Sequence, residues 1–552
     1  MSCFDHILLT ISILKSKCYV YGVLVEGPYV TKSKIKKVDL FVIGGGINGC
    51  GIARDAVGRG LSVTLAEMND IGGATSSSST KLFHGGLRYL EYFEFRLVRE
   101  SLIEREVLLR MMPHISWPMR FVLPLSPEMR FENSTPTSRL LNFLMPWAKG
   151  KRPAWLIRLG LFLYDNLGGR KILPGTSSIS LGKDVAGNAL KKKFKKAFEY
   201  SDCWIEDNKL VALNALDAKN RGAKILTRTK VIEAKRVEGF WKIILENQIT
   251  REVEEHHAKV LINAAGPWVA DVINSKLQLN SKDNIRLVRG SHIVVPKLYD
   301  HDKCYFFQGT DGRIIFSIPY EYDFTLIGTT DADHDGIETK PKCSDVERDY
   351  LVNFASQYFA KDISPENVVW SYSGVRPLYD DGTENASAAT RDYVLKLEHN
   401  SGSAPLLNIF GGKITTYRKL AEAAIAEISK FFPDLKGPWT ANSCLPGGDF
   451  PVQDVAKLIN KLQAEFNFLS EIRAKRLIRA YGLNAWELLK GAANLEDLGE
   501  QFGEFLTQRE VEYLRENEFV MEADDIIWRR TKLGLIMSEQ DKKRLSEYLK
   551  TS

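Results

Sequence analysis

The chain has 552 residues, 44% hydrophobic and 26% charged, which excludes a disordered or fibrous protein and leaves room for two or three structural units. Lysine and arginine exceed aspartate and glutamate by 75 − 69 = 6, which gives no ground for a nucleic-acid partner but suits anionic substrates or lipid headgroups. Its cysteines (Cys3, Cys18, Cys50, Cys203, Cys304, Cys343 and Cys444) form no C-x-x-C pair, so neither structural zinc nor a disulfide framework is expected, and the usage points to a reducing compartment. No apolar run approaches the ~18 residues of a membrane span.

In chain order, residues 1–36 are expected to be an N-terminal extension; their apolar piece HILLTISIL follows Asp5 and lacks the basic start of a signal peptide. VDLFVI (Val38 to Ile43) is a strand that runs into Gly44-Gly45-Gly46-Ile47-Asn48-Gly49, with Gly44, Gly46 and Gly49 in the three positions of G-x-G-x-x-G. GIARDAVGRG then carries helical spacing, and LSVTLAE is a second strand ending at Glu67, about 20 positions on. Glycine permits the tight turn, the helix N-terminus faces a pyrophosphate, and Glu67 accepts hydrogen bonds from a ribose.

TSSSSTKLFHGGLRYL (Thr75 to Leu90) follows directly. It combines hydroxyls and paired glycines with Lys81, His84, Arg88 and Tyr89, a composition for an anionic, oxygen-rich ligand. Glu91 to Met112 reads as a long scaffold helix stopped by Pro113. After a polar connector from Pro127, LLNFLMPWAKGKRPAWLIRLGLFLYDNLGG mixes Leu, Phe and Trp with Lys149, Lys151, Arg152 and Arg158. It suits either an amphipathic surface element at a membrane interface or a core helix pair. The basic block KKKFKK (Lys191 to Lys196) reads as a solvated face.

From Val231 the sequence is strand-rich. KVLINAAGPWV is a buried strand ending at Ala264, Ala265 and Gly266, where backbone can approach a cofactor. SHIVVP, RIIFSIPY and FTLIGTTDAD suggest an antiparallel sheet in a second, substrate-covering domain. Beyond them stand Arg376 in WSYSGVRPLYD, Arg391 in TRDYVL, and Gly411, Gly412 and Lys413 opening a helix in NIFGGKITTYRKLAEAAIAEI. The last hundred residues have helical periodicity and no catalytic constellation, as in a cap or oligomerisation domain.

In combination, IGGGINGCGIARDA, STKLFHGGLRYLE, NAAGPWV, GTTDAD, YSGVRPL, FGGKITTYRKLAE and ADDIIWRRTKLGL resemble the FAD-dependent glycerol-3-phosphate dehydrogenases of bacteria, relatives in fold of D-amino-acid and sarcosine oxidases. The resemblance implies an α/β fold, with a Rossmann-like FAD domain interleaved with an antiparallel substrate sheet over residues 37–430 and a helical C-terminal domain over 431–552. It implies oxidation of glycerol 3-phosphate to dihydroxyacetone phosphate, with electrons passed through FAD to ubiquinone or menaquinone. It also implies a monotopic homodimer on the cytoplasmic face of a bacterial inner membrane.

By position, the resemblance places FAD against Gly44, Gly46, Asn48, Gly49, Glu67, Thr75, Ser76, Thr80, Lys81, Ala265, Gly266, Gly411 and Gly412. It places substrate against Arg88, Tyr89, Arg376, Arg391 and Lys413, with His84, Arg376 and Lys413 as the catalytic set. His84 is the expected base, since a histidine is well suited to take the C2 hydroxyl proton at neutral pH. An oxidase releasing hydrogen peroxide would use the same pocket, and a flavin-bound redox sensor is an alternative of another class. The connector from Pro127 to Lys151 looks longer than in the shorter bacterial members, and residues 1–36 have no counterpart.

Overall fold

The computed structural model describes residues 35–551 apart from 128, 131–134, 145–151, 280–284, 310–311 and 381–391. Ahead of these it describes only the backbone of a hairpin, Lys17–Val20 with Val23–Glu26. The expectations for the rest of residues 1–34 and for much of the connector therefore lie outside the described residues.

β1 (Lys36–Ile43), α1 (Ile47–Gly58) and β2 (Val63–Ala66) form the opening β-α-β unit. The chain then crosses to a second sheet through α2 (Phe95–Met111), β3 (Ser116–Pro124), α3 (Ala154–Leu167) and β4 (Lys196–Ile205). α4 (Asp207–Asn220) brings it back to β5 (Lys224–Leu226) and, after a hairpin, to β6 (Val253–Asn263). β7 (Ile285–Pro296), β8 (Cys304–Gln308), β9 (Ile314–Tyr320), β10 (Phe324–Gly328) and β11 (Trp370–Tyr379) return to the second sheet. β12 (Leu406–Phe410) and α5 (Tyr417–Ile428) close the first unit.

The first sheet is parallel at its centre, in the order β12, β6, β1, β2, β5. Its central strands end in continuous apolar runs because helices cover the faces: Leu40, Phe41 and Val42 are fully buried, and so is Leu65. The second sheet has ten strands and is antiparallel except where β8 pairs with β3. β7 and β11 pair along ten residues, from Ile285 with Tyr379 to Val294 with Trp370. The ends of this pair meet the glycine turns of the first sheet, so the site forms between the two sheets.

Two local expectations are corrected. The long helix starts at Phe95 rather than Glu91, because Leu87–Tyr92 form a tighter 3₁₀ turn that ends at Phe93 in the left-handed region (φ 60°). The α5 helix begins four residues after Lys413; Gly411 (φ 69°) and Gly412 (φ 102°) make the turn between β12 and a short 3₁₀ segment. The basic block behaves as a solvated face, with Lys192, Lys193 and Lys195 exposed and only Phe194 turned inward, stacked on Tyr358 at 4.8 Å.

The C-terminal region has its own apolar core, from Val455 to Leu545, and docks through the segment ADDIIWRRTKLGL. The buried Arg530 guanidinium holds the Asp70 carboxylate with two 2.8 Å bonds and also donates to Asn208 Oδ1 and the Glu518 carbonyl. Arg529 Nε adds a 2.6 Å bond to Asp70, and Trp528 stacks on Trp370 at 4.9 Å. Burial alone would raise the Asp70 carboxyl; the two arginines outweigh it and hold it below its usual range. Asp70 lies between Glu67 and Thr75, so the C-terminal domain anchors the loop that carries expected cofactor residues. Arg530→Met is therefore expected to destabilise the protein by about 3–5 kcal/mol and to loosen flavin retention. Urea unfolding and flavin content after gel filtration check this; an unchanged midpoint would contradict it.

Candidate active site

A cavity of about 330 Å³ lies where the 75–90 segment, the β7–β11 pair and the Gly411–Thr415 turn converge. Of the expected residues, Thr75, Ser76, Thr80, His84, Arg88, Tyr89, Arg376, Gly411, Gly412 and Lys413 line it. Thr75 Oγ1 donates to the Val375 carbonyl at 2.7 Å, tying the segment to β11. Asn48 Nδ2 donates to the Gly411 carbonyl at 3.0 Å, which joins the two glycine turns. Gly290 makes room for Arg376, because a Cβ there would sit 2.5 Å from Nη2.

The positive groups are constrained. Arg376 forms an ion pair with Asp331, and its Nη2 donates to Thr329 Oγ1 at 3.3 Å. Lys413 Nζ sits 3.7 Å from the centre of the Tyr89 ring, within cation–π range. Burial, then the positive charges of Lys413 and Arg105, push the His84 imidazole down to about 4, so it is neutral at physiological pH.

Lys81 does not join this group. Its side chain is fully buried and pairs with Asp207 Oδ1 at 2.7 Å, while Asp207 Oδ2 accepts from the Ser79 hydroxyl at 2.8 Å. Lys81 thus braces the segment from behind and offers no charge to the cavity. Arg391 lies outside the described residues.

Several cavity residues stand in the sequence only as parts of strands. His292, on β7, is buried, places Nε2 3.0 Å from Thr80 Oγ1 and stacks on Tyr372 at 4.8 Å. Arg313 and Phe316 come from β9 and its approach, and Asp331 follows β10. The signal available for His292 was a histidine within the otherwise apolar SHIVVP strand, and for Asp331 its place in GTTDAD.

The glycine turn after β1 is built for a close-approaching ligand. At Gly49 a Cβ would lie 1.9 Å from the Gly44 carbonyl, and at Gly44 (φ 105°) 2.6 Å from the Ala264 carbonyl. α1 has no side-chain cap at Gly46, and Ser76 Oγ takes the Ile47 N–H at 3.0 Å. Glu67 stands just past β2 and accepts the Gly45 and Asn69 N–H groups at 2.7 and 2.8 Å. Burial raises its carboxyl, against the pull of those two donors. Buried Asn48 Oδ1 has no hydrogen-bond partner, and Ala265 and Gly266 form the turn after β6, beside Gly44.

A family model described as FAD dependent oxidoreductase matches residues 39–418. The chain belongs to that family. A second model, the C-terminal domain of alpha-glycerophosphate oxidase, matches residues 439–551. Similar proteins include the D-erythritol 1-phosphate dehydrogenase of Brucella abortus, 48% identical over 92% of this chain and 97% of that one. The aerobic glycerol-3-phosphate dehydrogenase of Escherichia coli is 45% identical over 93% and 97%. The structure of a Bacillus halodurans glycerol-3-phosphate dehydrogenase complexed with FAD matches with a TM-score of 0.67 at 25% identity, covering 94% of each chain.

The protein is thus a FAD-dependent oxidoreductase of mixed α/β fold with a C-terminal domain of the alpha-glycerophosphate oxidase type. Its residues fit FAD. The glycine turn at the α1 N-terminus suits the pyrophosphate, Glu67 the ribose, and unpartnered Asn48 Oδ1 marks an acceptor left for a ligand. Among the described residues there is no cluster of metal-ligating side chains.

Proposed function

We propose that this oxidoreductase oxidises glycerol 3-phosphate to dihydroxyacetone phosphate and passes the electrons to a membrane quinone. The observation that carries the reading is the meeting of Arg88, Arg313, Arg376 and Lys413 with a neutral His84 in one cavity beside the glycine turns. A dianionic phosphate is best held by several cationic donors, planar guanidinium groups above all. Arg88, Arg313, Arg376 and Lys413 take that role, and Arg391 belongs to the same proposal. FAD, held by Gly44, Gly46, Asn48, Gly49, Glu67, Thr75, Ser76, Thr80, Ala265, Gly266, Gly411 and Gly412, supplies the hydride acceptor.

His84 accepts the proton of the C2 hydroxyl, since its ring is uncharged before substrate arrives. The incoming phosphate offsets the Lys413 charge that helps to hold the imidazole down, so substrate binding strengthens the base. Tyr89 and the apolar wall of Phe306, Ile314 and Phe316 keep water from the reacting carbon.

An apolar acceptor is supported by a smaller cavity of about 200 Å³ that shares Leu87, Arg88, Phe306 and Ile314 with the first. Its other walls come from α3, Phe93, Phe95 and Leu123, with the Glu91–Arg152 ion pair, Thr137 and Gln308 at its edge. The same surface exposes Trp155 (58%), Phe162 (55%) and Leu159 from α3, with Arg158 among them, and Phe143 on Pro136–Leu144 (83%). Among the described residues no helix is long and apolar enough to cross a membrane. An apolar face with aromatic and basic residues suits monotopic docking on the cytoplasmic side of an inner membrane. Trp155→Glu with Phe162→Glu is expected to weaken binding to phospholipid vesicles at least about tenfold while leaving turnover with a soluble dye acceptor unchanged. Equal vesicle binding would contradict the docking face. A homodimer is part of the same proposal and is read by sedimentation in detergent.

The Brucella abortus relative supports a second reading, in which the substrate is a longer polyol phosphate such as D-erythritol 1-phosphate. Comparing kcat/KM for the two phosphates with a quinone analogue as acceptor decides between them. A higher value for glycerol 3-phosphate is expected, and a higher value for D-erythritol 1-phosphate would replace the first reading. Hydrogen peroxide in amounts equal to product would instead mark an oxidase.

A further inference from the structure

A cleft of about 570 Å³ lies between the second sheet and the C-terminal domain, apart from the catalytic cavity. One wall is α6 (Glu471–Tyr481); the opposite walls are Trp117, at the start of β3, and the hairpin turn between β9 and β10. Glu321 (φ 44°) and Tyr322 (φ 66°) form that turn and face α6.

Most charges in the cleft are engaged. Lys209 pairs with Glu518 at 2.5 Å, Arg476 with Glu510 at 2.5 Å, Arg530 with Asp70 and Lys297 with Asp300. Glu206 accepts the Trp204 indole N–H at 2.7 Å. Arg479 and Lys475, one helical turn apart on α6, have no carboxylate partner among the described residues. Arg479 stacks 4.4 Å from the Trp117 ring and donates only to the Pro113 carbonyl; Lys475 lies 5.2 Å from the Tyr322 ring. Burial brings the Arg479 guanidinium down to about 10, against the opposing pull of Tyr322 and Glu206. Two aromatic rings thus hold two cations without a paired carboxylate at one end of the cleft, which Glu206, Asp302 and Asp323 also line.

Two other groups in the cleft lack partners of their own. Tyr320 is 2% exposed, lines the cleft, and its hydroxyl makes no hydrogen bond, an expensive state for a buried donor. Burial, then the charge of Glu206, pushes the Glu321 carboxyl well above its usual range, which weakens its repulsion of an anion.

We propose that this cleft is a second anion site, which takes a small soluble molecule bearing a phosphate group held by Arg479 and Lys475, with the Tyr320 hydroxyl as a further donor. The flanking Trp117 and Tyr322 rings accommodate the rest of the molecule. The proposal is independent of the substrate assigned to the catalytic cavity.

Tryptophan emission tests it, because Trp117 lies against Arg479 while no tryptophan lines the catalytic cavity among the described residues. The holoenzyme is titrated with inorganic pyrophosphate. A saturable change is expected for the unaltered protein, with affinity weakened about tenfold in Arg479→Gln and about threefold in Lys475→Gln, and kcat unchanged in both. Lys475 is exposed, so its variant keeps the test decisive if Arg479→Gln misfolds. No saturable change in the unaltered protein, or equal affinity in all three, would overturn the site.

Discussion

Gly49→Ala is expected to yield protein without flavin. The added Cβ would stand 1.9 Å from the Gly44 carbonyl, less than any real contact allows. Gly44 cannot retreat, because its own Cα faces the Ala264 carbonyl and its φ of 105° is closed to a residue with a side chain. β1 and β6, which carry these two turns, pair along the centre of the sheet and hold the turns together. The turn must open by an ångström or more, and the path of the pyrophosphate opens with it. The overpacking itself costs about 1–3 kcal/mol, a loss that a chain of this size survives. The expected variant is folded by circular dichroism and holds less than about a tenth of the normal flavin, since its phosphate cradle is lost. Full flavin content would contradict the cradle.

His84→Ala is expected to lower kcat by about 10²–10⁴-fold while flavin content stays normal, as for loss of a general base. The pH dependence follows from the depressed imidazole. His84 stays neutral in the free enzyme until pH falls to about 4, so on its account kcat/KM is level from pH 8 down to about 5 and falls below that. An unperturbed histidine would give an acid limb near 6.5. The same depression makes the folded state lose stability as pH falls below 6.5, because the unfolded chain takes up a proton that the folded chain refuses. An acid limb near 6.5 that disappears in His84→Ala would show a protonatable His84 and contradict the buried, cation-flanked ring.

Local signals in the sequence carried the cofactor unit. Gly44, Gly46 and Gly49 lie within one turn, with Glu67 at the end of the next strand, and backbone sterics leave such spacing few solutions. The 75–90 segment was legible as a site by composition, and most of its polar residues do line the cavity. Lys81 was misplaced because its partner, Asp207, stands 126 residues away and captures the ammonium group behind the segment. His292, Arg313 and Asp331 were hidden for a related reason. Strand alternation separates two faces of a sheet but does not say which face turns to the site, and β7, β9 and β10 are far from Thr80 in sequence.

The helix start was obscured at Phe93, where no glycine marks the left-handed residue. ADDIIWRRTKLGL carried no catalytic pattern, and its contacts explain why: Arg529 and Arg530 grip Asp70 across 459 and 460 residues, an anchoring role visible only once the domain has docked.

A polyol phosphate is expected to reduce the flavin of this protein, and a quinone to take the electrons. Anaerobic addition of glycerol 3-phosphate to the detergent-purified holoenzyme, followed through the flavin absorbance, tests it directly. Prompt bleaching is expected, reversed when a quinone analogue is added under the same anaerobic conditions. Flavin that stays oxidised with both glycerol 3-phosphate and D-erythritol 1-phosphate would contradict it.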